Sequence, residues 1–402
     1  MKIRIQPEFL LLIFLGLIMG ILATVSMIYH GIVQFISIAL VCICLFASVL
    51  HIRKFQKKSK IILLFAALVL IGYLLSCICV SAFAGKVKTA DITPADKKEE
   101  TAILLLSPGE IGQYNCQGAL YRLKSYREVG LGGVRWWNMP VKAQQLKRNL
   151  NKIEKDSYIQ TNQNLYDKLK SQLEDRYVLY NANLFGSPFI EEVIGEILQQ
   201  GYDKIVVLNN FLVEQPYKEV VDRKILGVIE KSGIDAEVLF TFPLWNHDGL
   251  VSYYEQCILE KIQEISPEQV GVVLMARDFD KKAQQKFPQA VNRAEVFYNK
   301  IKESIVKNGY EGRKIRIAYI GHRKSGLKDT IDYLLDYGIN KLVIVDVGFE
   351  NQGIETEYLI PHLVEDKNLP EHVGTVFIGP WGDSDFLTRA LLDRLNMVDG
   401  LR

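Results

Sequence analysis

The feature that most limits what this chain can become is a long absence of charge. Between Glu8 and His51 there is no Asp, Glu, Lys or Arg. A helix needs about 20 apolar residues to cross the hydrocarbon of a bilayer. Residues 9–29 and 32–50 both meet that length, with Tyr29-His30-Gly31 as the turn between them, and a third run covers residues 61–84. These runs are apolar all round rather than along one stripe, which argues against a core hairpin of a soluble domain. No short small-residue cleavage site precedes the second run, so a removed signal peptide does not explain the first. Residues 1–85 are therefore expected to form a multi-pass region of the cytoplasmic membrane.

The loop between the second and third runs carries Arg53, Lys54, Lys57, Lys58 and Lys60. Short loops rich in Lys and Arg stay in the cytoplasm. Lys2 and Arg4 put the N-terminus on the same side, and three spans then place residue 85 onward outside. Lys86, Lys88, Lys97 and Lys98 pull weakly the other way. Of the six cysteines, Cys42, Cys44, Cys77 and Cys79 lie in the apolar runs, where free cysteine behaves as a small hydrophobe. Metal ligation and lipidation are the alternatives for those pairs. Cys116 and Cys257 alone are too few for a disulfide framework.

Beyond a polar linker at 86–100, short β-rich runs alternate with amphipathic helical patterns. Strands are expected at 101–107, 177–184, 204–209 and 237–242, then at 270–276, 314–320, 341–347 and 375–378. Between them, Ile190, Val193, Ile194, Ile197 and Leu198 repeat at helical spacing until Gly201. Strands alternating with helices imply parallel sheets covered on both faces. The expected fold class is α/β: two flavodoxin-like, doubly wound lobes at 101–266 and 267–402, preceded by three transmembrane helices. Ligands of such folds bind beyond the carboxyl ends of the strands. A net charge of +2 and the absence of a basic stripe argue against a nucleic-acid partner.

Residues at those strand ends resemble the ferrochelatase family over about residues 100 to 400. VGLGGVRWWNMPVKAQQLKRNLNKI is similar to the segment in which Gly-Gly and a proline precede a helix beside the porphyrin. NANLFGSPFIEEVIGEILQQGYDKIVVL resembles an aromatic-proline turn followed by a helix and a buried strand. VVLMARDFDKK matches the strand and loop that carry the family's catalytic histidine. KLVIVDVGFENQGIETEY matches the turn and helix carrying its glutamate.

The resemblance implies a tetrapyrrole in the interlobe cleft and a divalent metal, ferrous iron above all, as possible substrates; no resident cofactor follows from it. It puts Glu355 at the glutamate position but Arg277 at the histidine position. Metal insertion needs a base for two pyrrole protons and a ligand such as neutral imidazole. Guanidinium has no lone pair and does not act as a base near neutral pH. His322, just past a strand, is the substitute imidazole, set against a merely solvated loop histidine. His247, His362 and His372 are weaker candidates. Arg277 either pairs with Glu355 or grips a propionate, as arginine binds carboxylates bidentately. Arg135 is a second propionate candidate. Ser107, at a position the family usually fills with tyrosine, and Asn209 are candidate hydrogen-bonding groups. Trp136 and Trp137 are expected to face a macrocycle, lie at the membrane surface, or pack on the following helix.

Two functions remain open: a membrane-bound, ferrochelatase-like enzyme with Glu355 as acid/base and metal guide, or an inactive haem- or porphyrin-binding module of a membrane complex. A structural partner with an empty cleft is a third. The lipid bilayer is the expected surrounding, with membrane proteins or further copies of the chain as possible partners.

Overall fold

The computed structural model describes residues 7–399 apart from 56–57, 84, 86, 88–91, 94, 154–156, 280 and 321–325. Two compact units are present. The first contains α1 (Pro7–Ile28), α2 (Ile32–Ile52) and α3 (Lys58–Phe83), which agree with the three apolar runs to within three residues. All three are long and apolar enough to cross a membrane. Gly16 and Gly20 sit on α1 in a small-xxx-small pattern, which lets helix backbones meet closely. A Cβ at Gly20 would lie 2.2 Å from the Val69 carbonyl oxygen, and one at Gly72 the same distance from that of Leu17. Small residues here are a packing requirement.

The same unit takes in Gln113–Arg127 and Val134–Asn151. These hold most of α4 (Cys116–Val129) and all of α5 (Met139–Leu150). Helix α5 packs on α1 and α3. Ile28, Leu123, Val134, Met139 and Ala143 share one small core. The last carbonyls of a helix lack intrahelical donors. Those of α1 receive them from this segment: the Tyr114 hydroxyl donates to Ile28, and Lys147 Nζ donates to Tyr29 at 3.0 Å.

The second unit joins Val87–Gly112, Glu128–Gly133 and Lys152–Arg402. Its first lobe runs β1 (Thr101–Ser107), α6 (Ser157–Lys170), β2 (Tyr177–Asn183), α7 (Ile190–Gln199), β3 (Lys204–Asn209), α8 (Tyr217–Ser232), β4 (Glu237–Phe240) and α9 (Asp248–Ile262). Its second runs β5 (Val270–Arg277), α10 (Lys281–Lys286), α11 (Pro288–Lys307), β6 (Ile315–Ile320), α12 (Leu327–Asp336), β7 (Lys341–Asp346), α13 (Ile360–Glu365), β8 (Gly374–Ile378) and α14 (Asp385–Asp399).

All strand pairs are parallel, in the orders β2-β1-β3-β4 and β6-β5-β7-β8. The fold is therefore the expected α/β architecture of two doubly wound lobes behind three apolar helices. The inner strands are buried on both faces, which is why they read as unbroken apolar runs such as Ile103–Leu106 and Leu342–Val345. Helix α8 ends at Gly233 with φ 68°, the left-handed cap that glycine adopts without strain.

The lobes exchange a helix. Helix α9 follows β4 in the chain yet packs against α11 and β8 of the second sheet. Helix α14 follows β8 yet packs against β3 and α6 of the first. Tyr254 on α9 carries the exchange to the second sheet's strand ends, donating its hydroxyl to the Asp346 carbonyl at 2.7 Å.

Candidate functional site

In a doubly wound sheet the ligand crevice opens where strand order reverses. Here that is between β1 and β3 in the first lobe and between β5 and β7 in the second. At the first, Ser107 is fully buried. Its Oγ lies 3.4 Å from Asn162 Oδ1 and accepts from Asn210 Nδ2 at 3.2 Å. Asn209 donates its side-chain amide to the Thr241 carbonyl at 2.7 Å. Both candidates are thus engaged inside their own lobe.

At the second switch point the side chains are ionisable. Arg277 ends β5, and its guanidinium lies 4.7 Å from the centre of the Phe349 ring. It hydrogen-bonds the buried Tyr217 hydroxyl, and its charge reaches Glu350, which is only 3% exposed. Burial pushes the Glu350 carboxyl above its usual range, while Arg277 and the Leu212 N–H oppose the rise. That N–H donates to Glu350 Oε1 at 3.3 Å. The turn into this cluster requires glycine: a Cβ at Gly348 would stand 2.3 Å from the Arg277 backbone nitrogen.

Glu355 opens a π-helical turn, Glu355–Leu359, that leads into α13. Such turns occur mostly as single-turn bulges in helices, frequently at functional sites. The Glu110 carboxylate accepts the Ile354 N–H just before it at 3.5 Å, so a first-lobe loop steadies the turn. Glu355 acts on Asp346, the last residue of β7. Asp346 is 5% exposed, and burial first, then the Glu355 charge, hold its carboxyl well above the ordinary range. Asp346 Oδ1 is buried without a hydrogen-bond partner. The residue lines a cavity of about 430 Å³ with Lys152, Ser157, Gln352, Thr356 and Glu357. The Ser157 hydroxyl donates to Glu357 across it.

The geometry thus brings Glu355 together with Asp346, and Arg277 with Glu350 and Tyr217. Arg135, Trp136 and Trp137 belong to the unit of the apolar helices. His322 lies outside the described residues. His247 Nε2 pairs with Asp393 at 3.1 Å, and His362 stacks on Tyr358. Among the described residues no three His, Cys, Asp or Glu side chains converge to hold a metal ion. Asp346, Glu350 and Glu110 were not anticipated. Asp346 had a visible signal, a carboxylate closing the apolar strand KLVIV at its carboxyl end. Glu350 had none beyond lying in the VGFEN turn.

No protein-family model and no curated protein matches the chain. Among solved structures it is similar to SirB from Bacillus subtilis with Fe3+, at a TM-score of 0.50 and 14% identity, over 74% of this chain and 94% of that one. It also matches DR2241 from Deinococcus radiodurans, a multi-domain protein described as structurally similar to chelatases with two additional novel domains. There the TM-score is 0.41 at 13% identity, over 74% of this chain and 54% of that one. The class so defined is a chelatase-like fold, carried behind three helices of membrane-crossing length. The likeness is to chelatases as a fold rather than to ferrochelatase in particular.

Proposed function

We propose that this is a membrane-anchored, chelatase-like protein that binds a tetrapyrrole at the strand ends between its lobes and passes a divalent metal into it. The observation carrying this reading is that Asp346, whose carboxyl burial and the Glu355 charge push up, lines a cavity of about 430 Å³, a size within the usual range of small-molecule sites. A carboxyl held protonated by burial beside a second carboxylate supplies a proton donor next to an acceptor. Glu355 would take a pyrrole proton and guide the metal, which is substrate here, and the neutral Asp346 would donate to the macrocycle. His322 is proposed as the imidazole, and Ser107 and Asn209 as further porphyrin contacts. The apolar helices would sit in the cytoplasmic membrane with the lobes on its outer side.

A second reading, a binding module without insertion, is favoured by Arg277. It occupies the position of the family's histidine and is already engaged with Glu350 and Tyr217.

The test uses the full chain in lipid nanodiscs, titrated with protoporphyrin and haem and then supplied with ferrous, cobalt and zinc ions. A Soret shift followed by metal insertion that Glu355→Gln abolishes is expected. A Soret shift with no insertion by any metal selects the binding module. No spectral change with either tetrapyrrole overturns both.

A further inference from the structure

Residues Val134–Asn151 leave the lobes and join the apolar helices. Their first turn contains Trp136 and Trp137, which are 40% and 51% exposed. The Trp137 carbonyl accepts the Tyr73 hydroxyl at 2.9 Å and lies 3.5 Å from Cys77 Sγ. Tyr73 and Cys77 stand on α3, roughly two to three turns before its end at Phe83. At 1.5 Å per residue, the tryptophan pair is therefore held about 9–15 Å below that end. Large apolar side chains of α3 at the same level, Leu70, Leu75 and Ile78, are themselves exposed.

A loop of a water-soluble face has no reason to be pinned there with two indoles outward. Tryptophan is enriched where headgroups meet acyl chains, because its ring is apolar and its N–H is not. Helix α5 then climbs back toward the α1–α2 turn, where Lys147 Nζ donates to the Tyr29 carbonyl and, at 3.1 Å, to Gln34 Oε1. One side of α5 is buried against α1 and α3, and Val141, Gln145 and Arg148 point away. Lys147 is spent on that turn, but Val134–Asn151 also carries Arg135, Lys142 and Arg148, exposed or half-buried, and no acidic residue. Long basic side chains beside an apolar surface reach outward to headgroups, and anionic lipid attracts them.

We propose that Val134–Leu150 is a lipid-binding element, with Trp136 and Trp137 as anchors inserted on the acyl side of the headgroup boundary and anionic phospholipid as its ligand. This rests on reading α1–α3 as membrane-spanning. It makes the bilayer surface a partner of the segment that leads back into the lobes, independent of what the lobes bind.

The test is tryptophan fluorescence of the full chain in vesicles of phosphatidylglycerol and phosphatidylcholine, with and without brominated acyl chains. The double variant Trp136→Phe/Trp137→Phe supplies the background from Trp245 and Trp381. The emission that the double variant lacks is expected to be mostly quenched by brominated lipid, and less so when phosphatidylglycerol is withdrawn. If the double variant does not fold, the single variants give the same subtraction. Quenching of that emission by aqueous acrylamide but not by brominated lipid overturns the proposal, as does quenching by neither. Equal quenching without phosphatidylglycerol overturns the anionic preference. Flotation with the vesicles after alkaline carbonate separates the cases: a chain that floats but shows no lipid quenching keeps its spans and loses this element, and one that does not float loses both.

Discussion

At the switch point of the first sheet, Ser107, Asn209 and Asn210 are neutral side chains bonded to neighbours in the same lobe. At the same point of the second sheet stand Arg277, Asp346 and Glu350, drawn from the same backbone topology. Neutral hydrogen bonds each add modestly to stability. Buried ionisable groups cost free energy unless paired, and Asp346 Oδ1 and Glu350 Oε2 lack hydrogen-bond partners. Asn210 Oδ1 at the first switch point is also buried without a partner, but it belongs to a neutral amide. The two unpartnered atoms at the second belong to ionisable carboxyls, whose burial costs more. Perturbed carboxyls beside a cavity are where chemistry is to be sought. One switch point is neutral, the other ionisable.

The sharpest way to break this contrast is Glu350→Ala. It leaves the Arg277 guanidinium without the buried carboxyl beside it, and a loss of about 3 kcal/mol is expected, as for other broken buried pairs. Glu350→Gln, which keeps the shape and an acceptor for Leu212, should lose clearly less. Urea denaturation of the full chain in nanodiscs measures both, and equal losses would mean that charge is not what holds the cluster.

Next comes Asp346→Asn. A carboxyl whose folded pKa is raised binds its proton more tightly in the native state. Its contribution is full below the ordinary carboxylate pKa of about 4 and is lost as pH climbs toward the folded value, at no more than about 1.4 kcal/mol per pH unit. The asparagine variant lacks that loss. Its stability relative to wild type should therefore rise between about pH 4 and neutrality, whatever the offset at pH 4. A difference that stays flat with pH contradicts a neutral buried Asp346.

The smallest effect belongs to the first lobe. Ser107→Ala removes neutral hydrogen bonds to Asn162 and Asn210 and should cost about 1 kcal/mol with no pH dependence. A loss as large as that of Glu350→Ala would erase the distinction between the lobes.

The eight strands were legible because inner parallel strands are apolar without interruption, and each observed strand falls within one or two residues of its expected span. The three apolar helices were legible for the same reason of composition. What the local pattern does not contain is destination. Helix α5 is amphipathic, and its periodicity says only that Ala143, Leu146 and Leu150 face something apolar, not that this is α1 and α3. The candidate site was partly legible: the likeness around Glu355 pointed to the turn that is π-helical, and the rule about strand ends pointed to Arg277. Asp346 was passed over because it belongs to the strand itself, and only its burial and the nearby Glu355 give it weight. The π-helical turn at Glu355 depends on tertiary context that no residue motif announces.

The crossed placement of α9 and α14 has a consequence for how the lobes can be handled. Each sheet is roofed in part by a helix that the other half of the chain supplies. Cutting the polypeptide between α9 and β5 would not yield two independent domains but two incomplete halves, each with bare apolar surface that only its counterpart covers. Neither lobe is then a module to be expressed or transplanted alone, and the cut would also remove the Tyr254 hydroxyl from the Asp346 carbonyl.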